Sequence, residues 1–232
     1  MGGQACVFYG AAEFSRDTDL AVPAEADNLD RLDAALRELE AEVIAVPSFH
    51  ADFLLRGHAV HFRCAHAEAR GMRVDVMSRM RGVDDFPMIW SRRTEIVAPD
   101  GFAVDLLGIE DLVRAKKTQR DKDWPMVRRL VEAHYFAGRT APTQQSIGFW
   151  LRELRTPELL IEAARLFPEP SRAAVAARPL LEFAESGEVD RLSGALRAEE
   201  DAERAADRAY WAPLRAELER LRHGEADEHR SR

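Results

Sequence analysis

Short runs of alternating apolar and polar residues recur through the first hundred positions, interrupted by leucines at helical spacing. The run at 15–22 reads Ser-Arg-Asp-Thr-Asp-Leu-Ala-Val. In an extended strand successive side chains point to opposite faces, so Asp17 and Asp19 share one face and Thr18 and Leu20 the other. Leu29, Leu32, Leu36 and Leu39 predict a helix over about 28–42, capped by Asp27 or Asn28. Residues 43–46 read as a strand ended by Pro47, and 58–64 alternate as another. Residues 73–77 (Arg-Val-Asp-Val-Met) predict a further strand, and 88–90, 94–97 and 102–106 predict edge strands. Pro99-Asp100-Gly101 is expected as a tight turn between the last two. Ahead of all these, Gly2-Gly3 followed by an apolar run predicts a glycine turn opening a short helix that closes at Gly10. Gly108 breaks the chain, and a helix starting at Ile109 is expected to run through Lys117 or beyond. The pattern is α+β: a small mixed β-sheet flanked by helices, followed by a helical C-terminal region.

The character changes near Ala141-Pro142-Thr143. Beyond it the chain is rich in Ala, Arg, Glu and Leu, and helices are expected near 145–154, 157–166, 171–185, 187–198 and 200–222. The last is dense in opposite charges at i, i+3 and i+4, the pattern of a solvated or partner-facing helix. The expected organisation is a domain over 1–140, a helical region over 141–223 and a disordered tail over 224–232.

Composition changes the picture only in part. The chain has 232 residues, 46% of them hydrophobic, ample for a core. No apolar stretch approaches the roughly 20 residues that span a bilayer, and no basic region followed by an apolar run marks a signal peptide. Cys6 and Cys64 are the two cysteines, read as small core residues in a reduced, cytoplasmic setting. Net charge is −8, which argues against coating nucleic acid with the whole surface. Between Arg114 and Arg139, however, basic residues outnumber acidic ones. Such an island suits a triphosphate or a confined stretch of RNA, and Lys116 and Arg120, at i and i+4, are expected on one helix face.

The candidate chemistry lies in the acids. Two carboxylates on one strand face repel each other, and a cation between them relieves the conflict. Mg²⁺ is held by one or two carboxylates, with substrate phosphates and waters completing its shell. Asp75 is a candidate third carboxylate of a two-metal site. Free amides at the start of the Gly2-Gly3 helix attract phosphate. His50, His58, His61 and His66 lack zinc-site spacing, and Trp124 and Trp150 read as core.

The run Gly2-Gly3-Gln4-Ala5 … Tyr9-Gly10 … Ser15-Arg16-Asp17-Thr18-Asp19-Leu20, with Asp75 on a later strand, resembles the signature of the DNA polymerase beta-like nucleotidyltransferase superfamily. More narrowly, it is similar to the minimal bacterial and archaeal branch that includes abortive-infection and toxin–antitoxin nucleotidyltransferases. The basic stretch from Glu110 to Trp124 resembles that branch's later helix, so the likeness spans roughly residues 2–135. Two features depart from it: the chain begins at Met1-Gly2-Gly3, where relatives carry an earlier strand, and Glu13 stands where many place a basic residue. The resemblance implies a nucleotidyltransferase fold and transfer of a nucleoside monophosphate from an NTP such as ATP. The acceptor would be a tRNA end or other RNA, a protein or a small molecule. It also implies two Mg²⁺ (or Mn²⁺) ions bridged by Asp17 and Asp19, with Asp75 completing one site and helping to draw off the acceptor proton. Gly2, Gly3 and Ser15 would approach the phosphates, and Lys116 and Arg120 would balance the released pyrophosphate. The alternative expectation is a non-catalytic nucleotide-binding or antitoxin-like partner protein of the same fold, working through its C-terminal helices.

Overall fold

The computed structural model describes residues 1–98 and 101–230. The chain forms two compact units: one of residues 1–8, 12–115 and 208 onward, the other of 9–11 and 116–207. The division between these units falls at Ala115/Lys116, and the residues from Arg208 belong with the first unit.

In the first unit, α1 (Gly2–Phe8) precedes β1 (Asp17–Ala21), α2 (Ala26–Glu38), β2 (Ala41–Val43), α3 (Ala51–Arg56), β3 (Val60–Cys64) and β4 (Arg73–Met77). The four strands make one mixed sheet in the order β1-β4-β3-β2. β1 runs parallel to β4, and the other two pairings are antiparallel. Alternation sends Val60, Phe62, Cys64, Val74 and Val76 to one face, where Leu29 and Leu36 of α2 and Leu54 of α3 cover them. Burying each such side chain contributes about 1.5–3 kcal/mol, so this face pins the register. The opposite face receives Asp17, Asp19, His61, Arg63, Arg73 and Asp75.

The unit continues with α4 (Phe86–Ser91), the antiparallel hairpin β5 (Thr94–Val97) and β6 (Ala103–Leu106), and α5 (Ile109–Lys116). The strand expected at 88–90 is part of α4: Asp85 followed by Pro87 in the first helical turn is a helix-start signal that outweighs three apolar residues. Pro99 and Asp100 of the expected tight turn lie outside the described residues. α3, not foreseen in the sequence, begins where the His50 ring accepts a hydrogen bond from the Asp52 amide and ends at Gly57, whose φ is 101°. A Cβ on Gly57 would come within 3.1 Å of the Tyr210 hydroxyl. Beside it, His58 is buried and its Nε2 lies 2.9 Å from Glu217 Oε2, while Arg56 pairs with Glu217 Oε1 at 3.0 Å. These contacts join the end of the chain to α3.

The second unit is helical: α6 (Asp123–Gly138), α7 (Gln144–Glu153), α8 (Pro157–Leu166), α9 (Pro168–Ala174), α10 (Leu181–Ser186) and the first part of α11 (Val189–Arg230). Its core includes Trp124, Tyr135 and Trp150, each almost wholly buried. The single helix expected over 171–185 is split in two, because Pro179 lacks an N–H and disfavours helical backbone at Arg178. Arg178 is buried at that break and donates to the carbonyls of Leu151 and Leu154 and to Glu199. Conversely, the helices expected at 187–198 and 200–222 form one helix, since Ala198-Glu199-Glu200 are strong helix formers. α11 passes through Pro213 and reaches Arg230, into the stretch expected as a tail. Among the described residues no helix is long and apolar enough to cross a membrane.

Candidate functional site: a charged face on the mixed sheet

The face of the sheet turned away from the apolar core gathers the acids singled out in the sequence. The parallel register sets Asp19 opposite Asp75 and Asp17 opposite Arg73. The antiparallel register sets His61 opposite Asp75 and Arg63 opposite Arg73. Residues paired across neighbouring strands point the same way, so three carboxylates, two arginines and an imidazole share one surface.

Asp75 is the buried member, with a side chain 12% exposed. Its Oδ1 accepts from Arg73 Nε at 2.8 Å and lies 2.8 Å from His61 Nδ1. An ionised carboxylate only accepts, so the His61 contact is a hydrogen bond in the Nδ1–H tautomer, in which the same nitrogen cannot also accept from Arg73 Nη2, 3.1 Å away. Burial alone would push the Asp75 carboxyl up; the hydrogen bonds from His61 and Arg73, with their charges, outweigh it and hold the group below its usual range. Reciprocally, the hydrogen bond to Asp75 and the negative charges of Asp75, Asp17 and Asp19 raise Arg73 above its ordinary value, against the effect of burial. The guanidinium of Arg73 thus stands as the cation among the three acids.

The glycine pair lies against the same acids. Gly3 N–H donates to Asp19 Oδ2 at 3.2 Å, and the Met1 ammonium donates to the Asp19 carbonyl at 2.7 Å. Gly2 has φ +66°, and a Cβ there would fall 1.9 Å from Asp19 Oδ2; one on Gly3 would fall 2.4 Å from Ser15 Oγ. A side chain on Gly2 would displace Asp19 of β1 and one on Gly3 would displace Ser15, which is the physical reason for two glycines here. The hydroxyl of Ser15 donates to the Asp17 carbonyl at 3.0 Å. The Gly3 amide and the Ser15 hydroxyl, read from the sequence as phosphate ligands, are therefore engaged in holding β1.

Lys116 and Arg120 belong to the second unit. α5 stops at Lys116, so the two do not share a helix face as expected. Arg120 Nε donates to Asp123 Oδ2 at 2.7 Å, and Lys116 Nζ lies 3.7 Å from Asp123 Oδ1. Asp123 is nearly inaccessible and also accepts from the Thr118 hydroxyl. These cations neutralise a buried acid.

Hard carboxylate oxygens on one face are the right donor type for Mg²⁺. As they stand, however, Asp75 is held by Arg73 and His61 and Asp19 by Gly3, and among the described residues no group of three His, Cys, Asp or Glu side chains is able to hold a metal ion. The cation placed beside Asp75 is the guanidinium of Arg73. Arg73 and His61 were the residues the sequence reading missed. The available signal was their period-two relation to Asp75 and, across strands, to Asp19, which becomes visible only once the strand order is known. No protein-family model matches the chain, and no curated protein matches it.

Proposed function

We propose that the charged sheet face is the working surface of a nucleotidyltransferase-like protein that handles an NTP and transfers its nucleoside monophosphate to a hydroxyl or phosphate acceptor. The acceptor class stays as broad as the resemblance implies: RNA, protein or small molecule. The observation that carries the reading is the parallel pairing of β1 with β4, which sets Asp19 beside Asp75 and keeps Asp17 on the same face. The nucleotidyltransferase fold and the two Mg²⁺ or Mn²⁺ ions are part of this proposal. Asp75, held below its usual range, is a poor proton acceptor near neutral pH, because a general base works best when its pKa lies near the operating pH. Its contribution is negative charge on the face, with Arg73 and His61 fixing its orientation.

The test is incubation with labelled NTPs, Mg²⁺ or Mn²⁺ and a panel of total RNA, lysate protein and small-molecule acceptors. Label transfer that falls by about 10² or more in Asp19→Asn supports the reading. Transfer that is equal in Asp19→Asn and wild type refutes it.

A second reading is favoured by one observation, the clamp of Arg73 and His61 on Asp75. An internal cation in place of a metal suits a non-catalytic nucleotide-binding or antitoxin-like partner protein. Saturable NTP binding without transfer to any acceptor, and without dependence on Mg²⁺, distinguishes it.

A further inference from the structure

The helical unit contains a cavity of about 500 Å³, lined among others by Arg128, Glu132, Arg155, Thr156, Arg197 and Glu200. This volume is in the range of small-molecule sites. Its buried charged member is Arg155, whose side chain is 3% exposed. Arg155 Nε has no hydrogen-bond partner; Nη1 lies 3.1 Å from Glu199 Oε2 but is not aligned to donate to it. Glu199 spends its hydrogen bonds on Arg178, which reaches it through both Nε and Nη2. Burial pushes the Arg155 guanidinium below its ordinary value, with the charge of Glu199 opposing that shift. The guanidinium lies over the Trp124 ring, 4.9 Å from its centroid, and beside Glu199, but its buried Nε still lacks an acceptor, which is costly unless a ligand supplies one.

The surroundings supply the rest of an anion site. α8, ten residues long, begins at this cavity: its N-cap Thr156 makes no capping hydrogen bond, its hydroxyl donating to Glu132 instead, and Pro157 has no N–H to offer. The positive end of the helix is left open to a ligand. Of the lining acids, Glu200 is paired with Arg204 at 2.6 Å, while Glu132 accepts from the Thr156 hydroxyl and keeps its charge, which the arginines must outweigh. Arg128 and Arg197 are exposed and, among the described residues, make no ion pair.

We propose that this cavity binds the phosphate group of a small phosphorylated molecule, with Arg155 as buried anchor, the α8 N-terminus beside it, and Arg128 and Arg197 closing over the anion. Phosphate is the matching chemistry because its several oxygens accept from planar guanidinium forks and a helix terminus together. The site shares no residue with the charged sheet face and stands or falls independently of it.

Calorimetric titration of the full chain with inorganic pyrophosphate, AMP and uncharged adenosine tests the proposal. Expected are one-to-one binding of pyrophosphate or AMP, none of adenosine, and affinity lower by about tenfold or more in each of Arg128→Ala and Arg197→Ala. Both residues are exposed, so the variants keep the wild-type melting temperature. Asp17→Asn should leave this binding unchanged, which separates it from nucleotide held on the sheet face. The site is overturned if neither anion binds saturably, if adenosine binds as well as AMP, or if anion affinity is the same in both arginine variants as in the wild type.

Discussion

Replacing Arg73 with Met keeps the aliphatic stem and removes the cation that holds Asp75. The lost contact is a hydrogen bond of 2.8 Å to a carboxylate whose side chain is 12% exposed. Hydrogen bonds to charged groups contribute about 1.5–3 kcal/mol. Because 38% of the Arg73 side chain meets water, screening lowers the expected loss to about 1–2 kcal/mol at pH 7. The sign with pH follows from the Asp75 carboxyl. In the wild type its folded value is below the unfolded one, so its stabilisation is complete above the unfolded value and is lost as pH falls through the folded value. In Arg73→Met, burial meets only His61 in opposition, the folded value rises, and the stabilisation shrinks or reverses. The stability difference between the proteins should therefore be largest near neutral pH, narrow as pH falls through the ordinary carboxyl range near about pH 4, and close only below it, where the wild-type Asp75 itself takes up a proton. Urea unfolding of both proteins between pH 3 and 8 at low salt measures it. With its competitor gone, Mg²⁺ should raise the melting temperature of Arg73→Met more than that of the wild type. Equal stability at pH 7, or a gap that stays constant through pH 4, would refute the role given to Arg73.

Two further outcomes are expected. Gly2→Ala places a methyl 1.9 Å from Asp19 Oδ2 at a φ of +66°, so Asp19 must move and stability should fall by about 1–2 kcal/mol; an unchanged melting temperature would show that α1 does not lie against β1 as described. Asp123→Ala leaves Lys116 and Arg120 without their shared buried acid and should cost about 2–4 kcal/mol, whereas Arg120→Ala alone should cost under about 1 kcal/mol because its side chain is 54% exposed. A tenfold loss of triphosphate affinity in a Lys116→Ala/Arg120→Ala double variant of normal stability would return these cations to the nucleotide.

What the sequence determined by itself was local. Alternation located β4 and β5 at 73–77 and 94–97 and put Asp17 and Asp19 on one face; proline punctuation located α8 at 157–166. Period and capping signals act within a few residues, so they survive without knowledge of the fold. The tertiary structure decided which faces met. Strand order and register depend on burying Val60, Phe62, Val74 and Val76 under α2 and α3, a non-local term that no window of sequence reports. That register brought Asp75 beside Asp19 and put Arg73 and His61 where the sequence suggested metal. Burial likewise decided that Asp123, only three residues beyond Arg120, claimed Arg120 and Lys116, and a distant helix supplied Glu217 to the buried His58. A charge in the sequence states its sign, but its partner is chosen by the burial that decides which charges leave water together.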